Sequence, residues 1–403
     1  MFRFEDTDKE RSKKEYEDDF IDGLAWLGID YDEGPHRQSE RTDVYISYIE
    51  KMIAQNNVYI SKETEGERAE VVRFKNPNIK IRFDDLIRGE IEFDTSELED
   101  FIIARSMTEP LYHLSVVVDD YDMGITHIIR GEDGISNTAR QILIQEAIGA
   151  PRPQYAHLPL ILGSDRSKLS GRHGAVSVNE YRRAGYLPDA LINYLALLGW
   201  HPATDQEIFT REELIQHFDL EQVQKAGAIF DEKKLRWVNR QHLIKVASEQ
   251  FAEESKKFFK PETLKKLEET QRLDAAMGMV RERIEIYSDI TAMDEAGEFD
   301  YLTGSPSYEA AKLAWKGEGL PETKVRLQAV LALLEGIPEA SWSKEGVKEK
   351  VWPYAEQEGR GQVLWPMRYA LTGRDKSPDP FEVAGILGKD ETLSRIRLAV
   401  DRL

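Results

Sequence analysis

Residues Leu111 to Leu162 read LYHLSVVVDDYDMGITHIIRGEDGISNTARQILIQEAIGAPRPQYAHLPLIL. Three apolar runs stand out, Tyr112 to Val118, Ile125 to Ile129 and His157 to Leu162, each short and rich in β-branched or aromatic residues. Between the second and third, Thr138 to Ile148 carries apolar residues at helical spacing. The order is therefore strand, strand, helix, strand. Strands that are apolar along their whole length are buried on both faces, as in a parallel sheet flanked by helices. The stretch predicts an α/β domain.

The loop that follows, GSDRSKLSGRHG at Gly163 to Gly174, places Arg166, Lys168 and Arg172 directly after the last of these strands. Open α/β sheets bind ligands at the carboxyl ends of their strands, and three cations on a flexible loop there suit a polyphosphate. A solvated surface turn is the plainer alternative. Arg130 closes the strand ITHIIR, where a planar guanidinium suits bidentate capture of a carboxylate. Its alternative is a structural ion pair with Glu132 or Asp133. Upstream, EDTD at Glu5 to Asp8 either holds an ammonium group or leads acidically into a helix at Ser12. An EF-hand reading of Asp6, Asp8, Glu10 and Glu17 fails, because Arg11 stands where that loop needs glycine and the second half is helical.

On the amino-terminal side, Ser12 and Glu15 have the spacing of a capping box, and Tyr16, Phe20, Leu24 and Leu27 follow at helical intervals up to Gly28. A second helix is predicted from Thr42 to Gln55, with Tyr45, Tyr48, Ile49 and Met52 on its inner face. Val71 to Phe74, Ile79 to Phe83 and Glu90 to Phe93 read as strands of a small mixed insertion. Beyond residue 175 helical patterns take over, at Val178 to Ala184, Leu187 to Leu198, Arg211 to His217, Glu262 to Gly278, Glu322 to Glu335, Lys344 to Gln357, Gln362 to Leu371 and Asp390 to Leu403. The charged stretch Glu249 to Lys260 reads as the seam between two helical domains.

The composition of the 403 residues, 41% hydrophobic and 32% charged, is that of a soluble globular chain with room for two or three domains. No apolar run approaches the roughly 18 residues of a membrane helix, and MFRFEDTDKER is too polar for a signal peptide, so a cytoplasmic protein is expected. The absence of cysteine excludes disulfides and thiolate metal sites, and the eight histidines form no HxxxH or HxH pair, so no zinc site is expected. A net charge of −20 does not exclude a nucleic-acid partner, because binding uses one face and the chain has 54 basic residues.

Seven strings, FRFEDTDKERS, WLGIDYDEGPHRQSER, IRGEIEFDTSELEDFII, YHLSVVVDDYDMGITHIIRGED, YAHLPLILGSDRSKLSGRHGAVSV, LINYLALLGW and GQVLWPMRYALTGRDKSPDPFEVAGILGKDETL, resemble in the same order the bacterial glutamyl-tRNA synthetases, over nearly the whole chain. The resemblance implies a Rossmann-like class I catalytic fold at residues 1–46 and 108–172. It also implies an acceptor-end insertion at 47–107, helical stem-contact elements at 173–250 and an all-helical anticodon-binding domain at 251–403. The implied reaction is ATP-dependent activation of L-glutamate to glutamyl-adenylate and transfer to the 3′ end of tRNA(Glu), by a monomer, with Mg2+ accompanying ATP.

Carried over position by position, the resemblance puts Glu5, Tyr112 and Arg130 on glutamate. It puts Asp133, Lys168, Leu169 and Ser170 on ATP, with Lys168, Ser170 and Arg172 acting on the phosphates during catalysis. The chain departs from the family at Gly171, where a second lysine is usual, and at Gly134, where histidine is usual. Met1 would fall within the second strand of a sheet of order 3-2-1-4-5. The family's first strand and His-Ile-Gly-His motif have no counterpart, which predicts two exposed strand edges beside an apolar slot, and a chain that does not activate glutamate. A non-catalytic tRNA-binding relative of the synthetases is the rival reading.

Overall fold

The computed structural model describes residues 1–8, 12–62, 70–169, 177–202 and 204–403. A two-residue strand β1 (Arg3–Phe4) leads to helix α1 (Lys14–Trp26), strand β2 (His36–Arg37) and helix α2 (Thr42–Ala54). Next come β3 (Val58–Lys62), β4 (Glu70–Phe74), β5 (Lys80–Asp85), β6 (Gly89–Asp94), β7 (Phe101–Ser106) and β8 (Glu109–Pro110). Helix α3 (Tyr112–Asp122), β9 (His127–Gly131), α4 (Ile135–Ile148), β10 (Gln154–Leu158) and β11 (Ile161–Leu162) follow. Then α5 (Val178–Arg183), α6 (Pro188–Gly199), α7 (Arg211–His217), β12 (Ala228–Ile229) and α8 (Glu232–Leu243) complete the first part. The chain divides between His242 and Leu243.

Tyr112 to Val118 is helical, contrary to the strand expected there. Leu114, Val117 and Val118 are all buried, so α3 is apolar around most of its circumference, and a helix enclosed on several sides lacks the polar face that would betray its period. The other elements of that stretch stand close to expectation, except that Pro159, which cannot donate to a ladder, separates β10 from β11.

Four strands form one sheet in the order β6-β5-β10-β9, with β10 parallel to both β5 and β9, and β5 antiparallel to β6. The β5–β6 hairpin, expected within an insertion, thus extends the parallel sheet. A second, antiparallel sheet has the order β3-β4-β7-β8, and β11 pairs with β12. β1 pairs in parallel with β2 alone. Among the described residues β1 and β9 therefore each keep one unpaired edge. The core between the sheets and helices is built from Tyr45, Ile49 and Met52 of α2, Val72, Phe74, Ile81 and Phe83 of the strands, and Leu114, Val118, Ile142 and Ile144 of α3 and α4.

Helix α1 lies where the period put it, but Lys13 rather than Ser12 precedes it and no side chain caps it. Tyr16 and Phe20 are 59% and 56% exposed, so half of the stripe expected to be inward faces outward. A formed capping box is found instead at α7, where the Thr210 hydroxyl accepts from the Glu213 N–H and the Glu213 carboxylate accepts from the Thr210 N–H.

The second unit is helical: α9 (Ser248–Lys256), α10 (Pro261–Glu269), α11 (Leu273–Arg283), α12 (Asp289–Glu295), α13 (Asp300–Thr303), α14 (Leu320–Glu335), α15 (Lys344–Glu358), α16 (Arg360–Thr372), α17 (Pro380–Leu387) and α18 (Lys389–Arg402). The stretch read as a seam overlaps all of α9 but its first residue. The single helix expected over Glu262 to Gly278 is two, broken at Gln271, whose φ of 56° lies in the left-handed region.

Candidate active site

The unpaired edges of β1 and β9 flank a cleft of roughly 430 Å³. Met1, Arg3 and Glu5 line one side and Ile128, Ile129 and Arg130 the other, while Tyr112, Val116, Val117 and Asp120 of α3 and Gln141 of α4 form the floor. Residues at i, i+2 and i+4 of an extended segment share a side, which is why Met1, Arg3 and Glu5 point into the cleft together. Of the residues expected to hold glutamate, Glu5, Tyr112 and Arg130 all reach this one cleft.

β1 is tied down from below. The Arg3 guanidinium donates to Asp120 at 2.8 Å and to Glu5 at 3.3 Å. Burial pushes the Asp120 carboxyl up, and the facing Arg3 opposes that rise. Asp6 turns to the opposite side, accepting from the Ser39 N–H at 2.9 Å and the Ser39 hydroxyl at 2.7 Å. Asp119, wholly buried, accepts from Gln38, Arg41 and Tyr45. At the turn before β2, Gly34 has φ 108°, and a Cβ there would lie 2.3 Å from the Phe2 carbonyl oxygen, so the close approach of that turn to β1 requires glycine.

Arg130 is not in an ion pair with either acidic neighbour. Glu132 pairs with Arg88 at 2.8 Å and Asp133 with Lys168. Arg130 instead donates through Nε to His157 Nε2 at 3.2 Å, and through Nη2 to the Gly134 carbonyl at 3.1 Å and Thr138 Oγ1 at 2.8 Å. Nη1 makes no hydrogen bond among the described residues. The bidentate fork expected of this guanidinium is thus half committed within the protein.

Lys168 stands at the end of a turn closed by the Gly163 N–H donating to Ser167 O at 2.9 Å, with a bridge between Leu162 and Lys168. The Leu169 N–H donates to Ile161 O at 2.8 Å. The turn follows β11, which pairs with β12 and not with the parallel sheet, so the loop expected at that sheet's carboxyl edge follows a strand outside it, while Asp133 follows the carboxyl end of β9. The hydrogen bond and charge of Lys168 hold the Asp133 carboxyl below the usual range. Ser170, Gly171 and Arg172 lie outside the described residues.

The sequence reading passed over Gln141, Asp85 and His157. Gln141 is buried with neither amide atom partnered, yet it lines the cleft. His157, buried in β10, sits 2.6 Å through Nδ1 from Asp85 Oδ2. Its one signal was a histidine inside an otherwise apolar strand. Among the described residues no cluster of three acidic or histidine side chains is arranged to hold a metal ion, and no helix is long and apolar enough to cross a membrane.

Comparison with known proteins shows the family of the chain. The catalytic domain of class I tRNA synthetases (E and Q) matches residues 1–70 and 59–237, and an anticodon binding domain matches residues 250–400. The glutamate–tRNA ligase of Thermodesulfovibrio yellowstonii is 38% identical, over 100% of this chain and 92% of that protein. The glutamate–tRNA ligase of Carboxydothermus hydrogenoformans is 38% identical over 98% and 92%. Among solved structures, a glutamate tRNA ligase from Elizabethkingia meningosepticum in complex with its amino acid is similar with a TM-score of 0.83, at 30% identity over 100% of this chain and 92% of that one. Whole-chain identity of this order, joined to a catalytic and an anticodon-binding match in one chain, identifies the protein as a member of the glutamate–tRNA ligase family of class I tRNA synthetases.

Proposed function

We propose, against the expectation that a chain lacking the family's first strand does not activate glutamate, that the gap between β1 and β9, lined by the charged and polar side chains of Arg3, Glu5, Asp120, Arg130 and Gln141 rather than left as an apolar slot, is the L-glutamate site of a ligase that activates glutamate with ATP and charges tRNA(Glu). The observation that carries this is the convergence of Glu5, Tyr112 and Arg130 on one cleft from three separate elements. Glu5, exposed and paired among the described residues with Arg3 at 3.3 Å, offers a carboxylate to the substrate ammonium. Arg130 Nη1 and the Tyr112 hydroxyl offer donors to its carboxylates, and Gln141 offers a buried amide that a ligand would satisfy.

ATP lies towards Asp133, Lys168 and Leu169, with Ser170 and Arg172 completing the phosphate loop. Lys168 exchanges its Asp133 partner for the triphosphate. Magnesium, if bound with the nucleotide, would neutralise phosphate charge, and among the described residues no side-chain cluster is arranged to hold it apart from the nucleotide. A carboxylate oxygen of glutamate attacks the α-phosphorus, the bond to the β-phosphate oxygen breaks, and pyrophosphate leaves. A ribose hydroxyl of the tRNA's terminal adenosine then attacks the glutamyl carbonyl and AMP leaves. Both steps depend on alignment and on cations facing developing charge, not on a protein nucleophile.

Residues 47–107 would meet the acceptor end, 173–250 the stem and 251–403 the anticodon, in a cytoplasmic monomer. Glutamate-dependent ATP–pyrophosphate exchange, together with charging of tRNA(Glu), tests the reading. Exchange that requires glutamate and is lost in Glu5→Gln supports it. Salt-dependent tRNA binding with neither exchange nor charging would overturn it in favour of a non-catalytic tRNA-binding protein.

A further inference from the structure

An arginine presented to a substrate has four rotatable side-chain bonds, so something must fix its posture if only one nitrogen is to face the cleft. Arg130 is fixed from two sides. Its Nε–H donates to His157 Nε2 at 3.2 Å. A guanidinium has no acceptor, so His157 Nε2 must be the unprotonated nitrogen, and the imidazole proton resides on Nδ1, donated to Asp85 Oδ2 at 2.6 Å. Burial, with Arg130 alongside, pushes the His157 pKa down, against the opposing effect of Asp85, so the ring is neutral.

Asp85 is itself immobilised. Its Oδ1 accepts from the backbone N–H groups of Ile87 at 3.0 Å, Arg88 at 2.8 Å and His157 at 3.2 Å. The chain Asp85, His157, Arg130 therefore runs from β5 through β10 to β9. On the other side, a Cβ at Gly134 would lie 2.6 Å from Arg130 Nε and 2.9 Å from its Cδ. The Gly134 backbone, at φ −80° and ψ −10°, accepts any residue, so no turn requires glycine there; where the family usually has histidine, in this chain the side chain of Arg130 fills the space of a Cβ.

We infer that Asp85 and His157 are positioning residues for Arg130, and that Gly134 provides the space in which they hold it, so that a ligand carboxylate meets Nη1 alone. This rests on the reading of Arg130 as a glutamate-binding residue. A misplacement of about 1 Å in a binding group commonly costs tenfold or more. Gly134→Ala leaves the Asp85–His157 pair whole yet displaces Arg130, whereas His157→Ala removes the acceptor. His157→Gln keeps an acceptor for Arg130 and a donor for Asp85.

The test is equilibrium dialysis of radiolabelled L-glutamate against the full chain, with ATP binding as the internal control and 15N spectra of labelled histidine as a readout that needs no ligand. Expected are about tenfold weaker glutamate binding in Gly134→Ala and His157→Ala, near-normal binding in His157→Gln, unchanged ATP binding, and a shifted His157 Nε2 resonance in Gly134→Ala. If His157→Ala does not fold, Gly134→Ala decides. Glutamate binding and a histidine spectrum unchanged in Gly134→Ala, with binding lost in Arg130→Met, overturn the positioning chain alone. Binding unchanged in Arg130→Met, or absent from the unmodified chain, overturns the reading of Arg130 beneath it.

Discussion

Replacing Asp119 by asparagine should destabilise the first unit while changing almost no volume. The carboxylate is wholly buried and meets three donors, Gln38 Nε2 at 2.9 Å and the Tyr45 hydroxyl at 2.8 Å on Oδ2, and Arg41 Nε at 2.7 Å on Oδ1. It thereby ties α3 to α2 and to the Gln38–Glu40 turn that follows β2. An amide turned with its nitrogen towards Arg41 sets donor against donor. Turned the other way, its nitrogen faces Gln38 and Tyr45, where the hydroxyl can rotate and the Gln38 amide can flip to accept, but the flip leaves the Gln38 nitrogen buried in place of its unpartnered oxygen. The cheaper orientation loses one neutral hydrogen bond, worth about 1 kcal/mol, and reduces the charge-assisted bond to Arg41 by about 1 to 2 kcal/mol. The sum is about 2 to 3 kcal/mol. For a unit of this size that lowers Tm by roughly 5 to 10 °C. Calorimetry of the full chain measures it, and a double-mutant cycle with Arg41→Met should show strong non-additivity, since both changes break the same contact. A drop under about 2 °C, or an additive cycle, would refute the reasoning.

Three further outcomes are expected. Burial first, then the charges of Arg140 and Arg130, push His113 down to about 4. Between the unfolded value near 6.5 and that folded value the unfolded chain binds the extra proton, so stability falls as pH drops through the window. The loss is about 2 kcal/mol after discounting for partial exposure, and His157, also pushed down, acts in the same direction. Urea titrations at pH 7 and pH 4.5 measure it, and His113→Gln should flatten part of the slope. Lys168→Met should slow glutamate-dependent pyrophosphate exchange about a hundredfold and leave glutamate affinity within a factor of two, because the lysine faces phosphate and not the amino acid. In the second unit, Arg395 is 2% exposed and donates to the Leu371 carbonyl at 2.6 Å and the Gly304 carbonyl at 2.9 Å. Arg395→Met leaves both acceptors and Glu391 without it, costing about 3 kcal/mol, which thermal unfolding would register as a loss of roughly 6 to 12 °C.

Local signals read well where one force dominates. Arg211 to His217 was legible to the residue because Thr210 and Glu213 cap it and the following segment turns extended. Ser12 and Glu15 carry the same pattern without forming the cap, since spacing alone does not hold the preceding backbone extended at the right residue. Tyr112 to Val118 misled because three consecutive valines in a buried helix look like a buried strand. Ile79 to Phe83 and Glu90 to Phe93 were legible as strands, but their pairing as β5 and β6 and their place beside β10 depend on contacts, Tyr155 with Asp85 among them, that no local pattern contains. At the site, Glu5, Tyr112 and Arg130 were legible as residue types in recognisable strings. The commitment of Arg130 Nε and Nη2 was not, because its cause is a histidine 27 residues later in the chain, itself held by an aspartate 72 residues before that histidine.

The central claim, that the cleft between β1 and β9 takes glutamate, is tested most directly by binding of radiolabelled L-glutamate to the full chain and to Glu5→Gln and Arg130→Met. Saturable binding is expected, weakened about tenfold by Glu5→Gln and about a hundredfold by Arg130→Met, each reflecting loss of one charge-assisted contact. Binding that is equally tight in all three proteins would place glutamate elsewhere and contradict it.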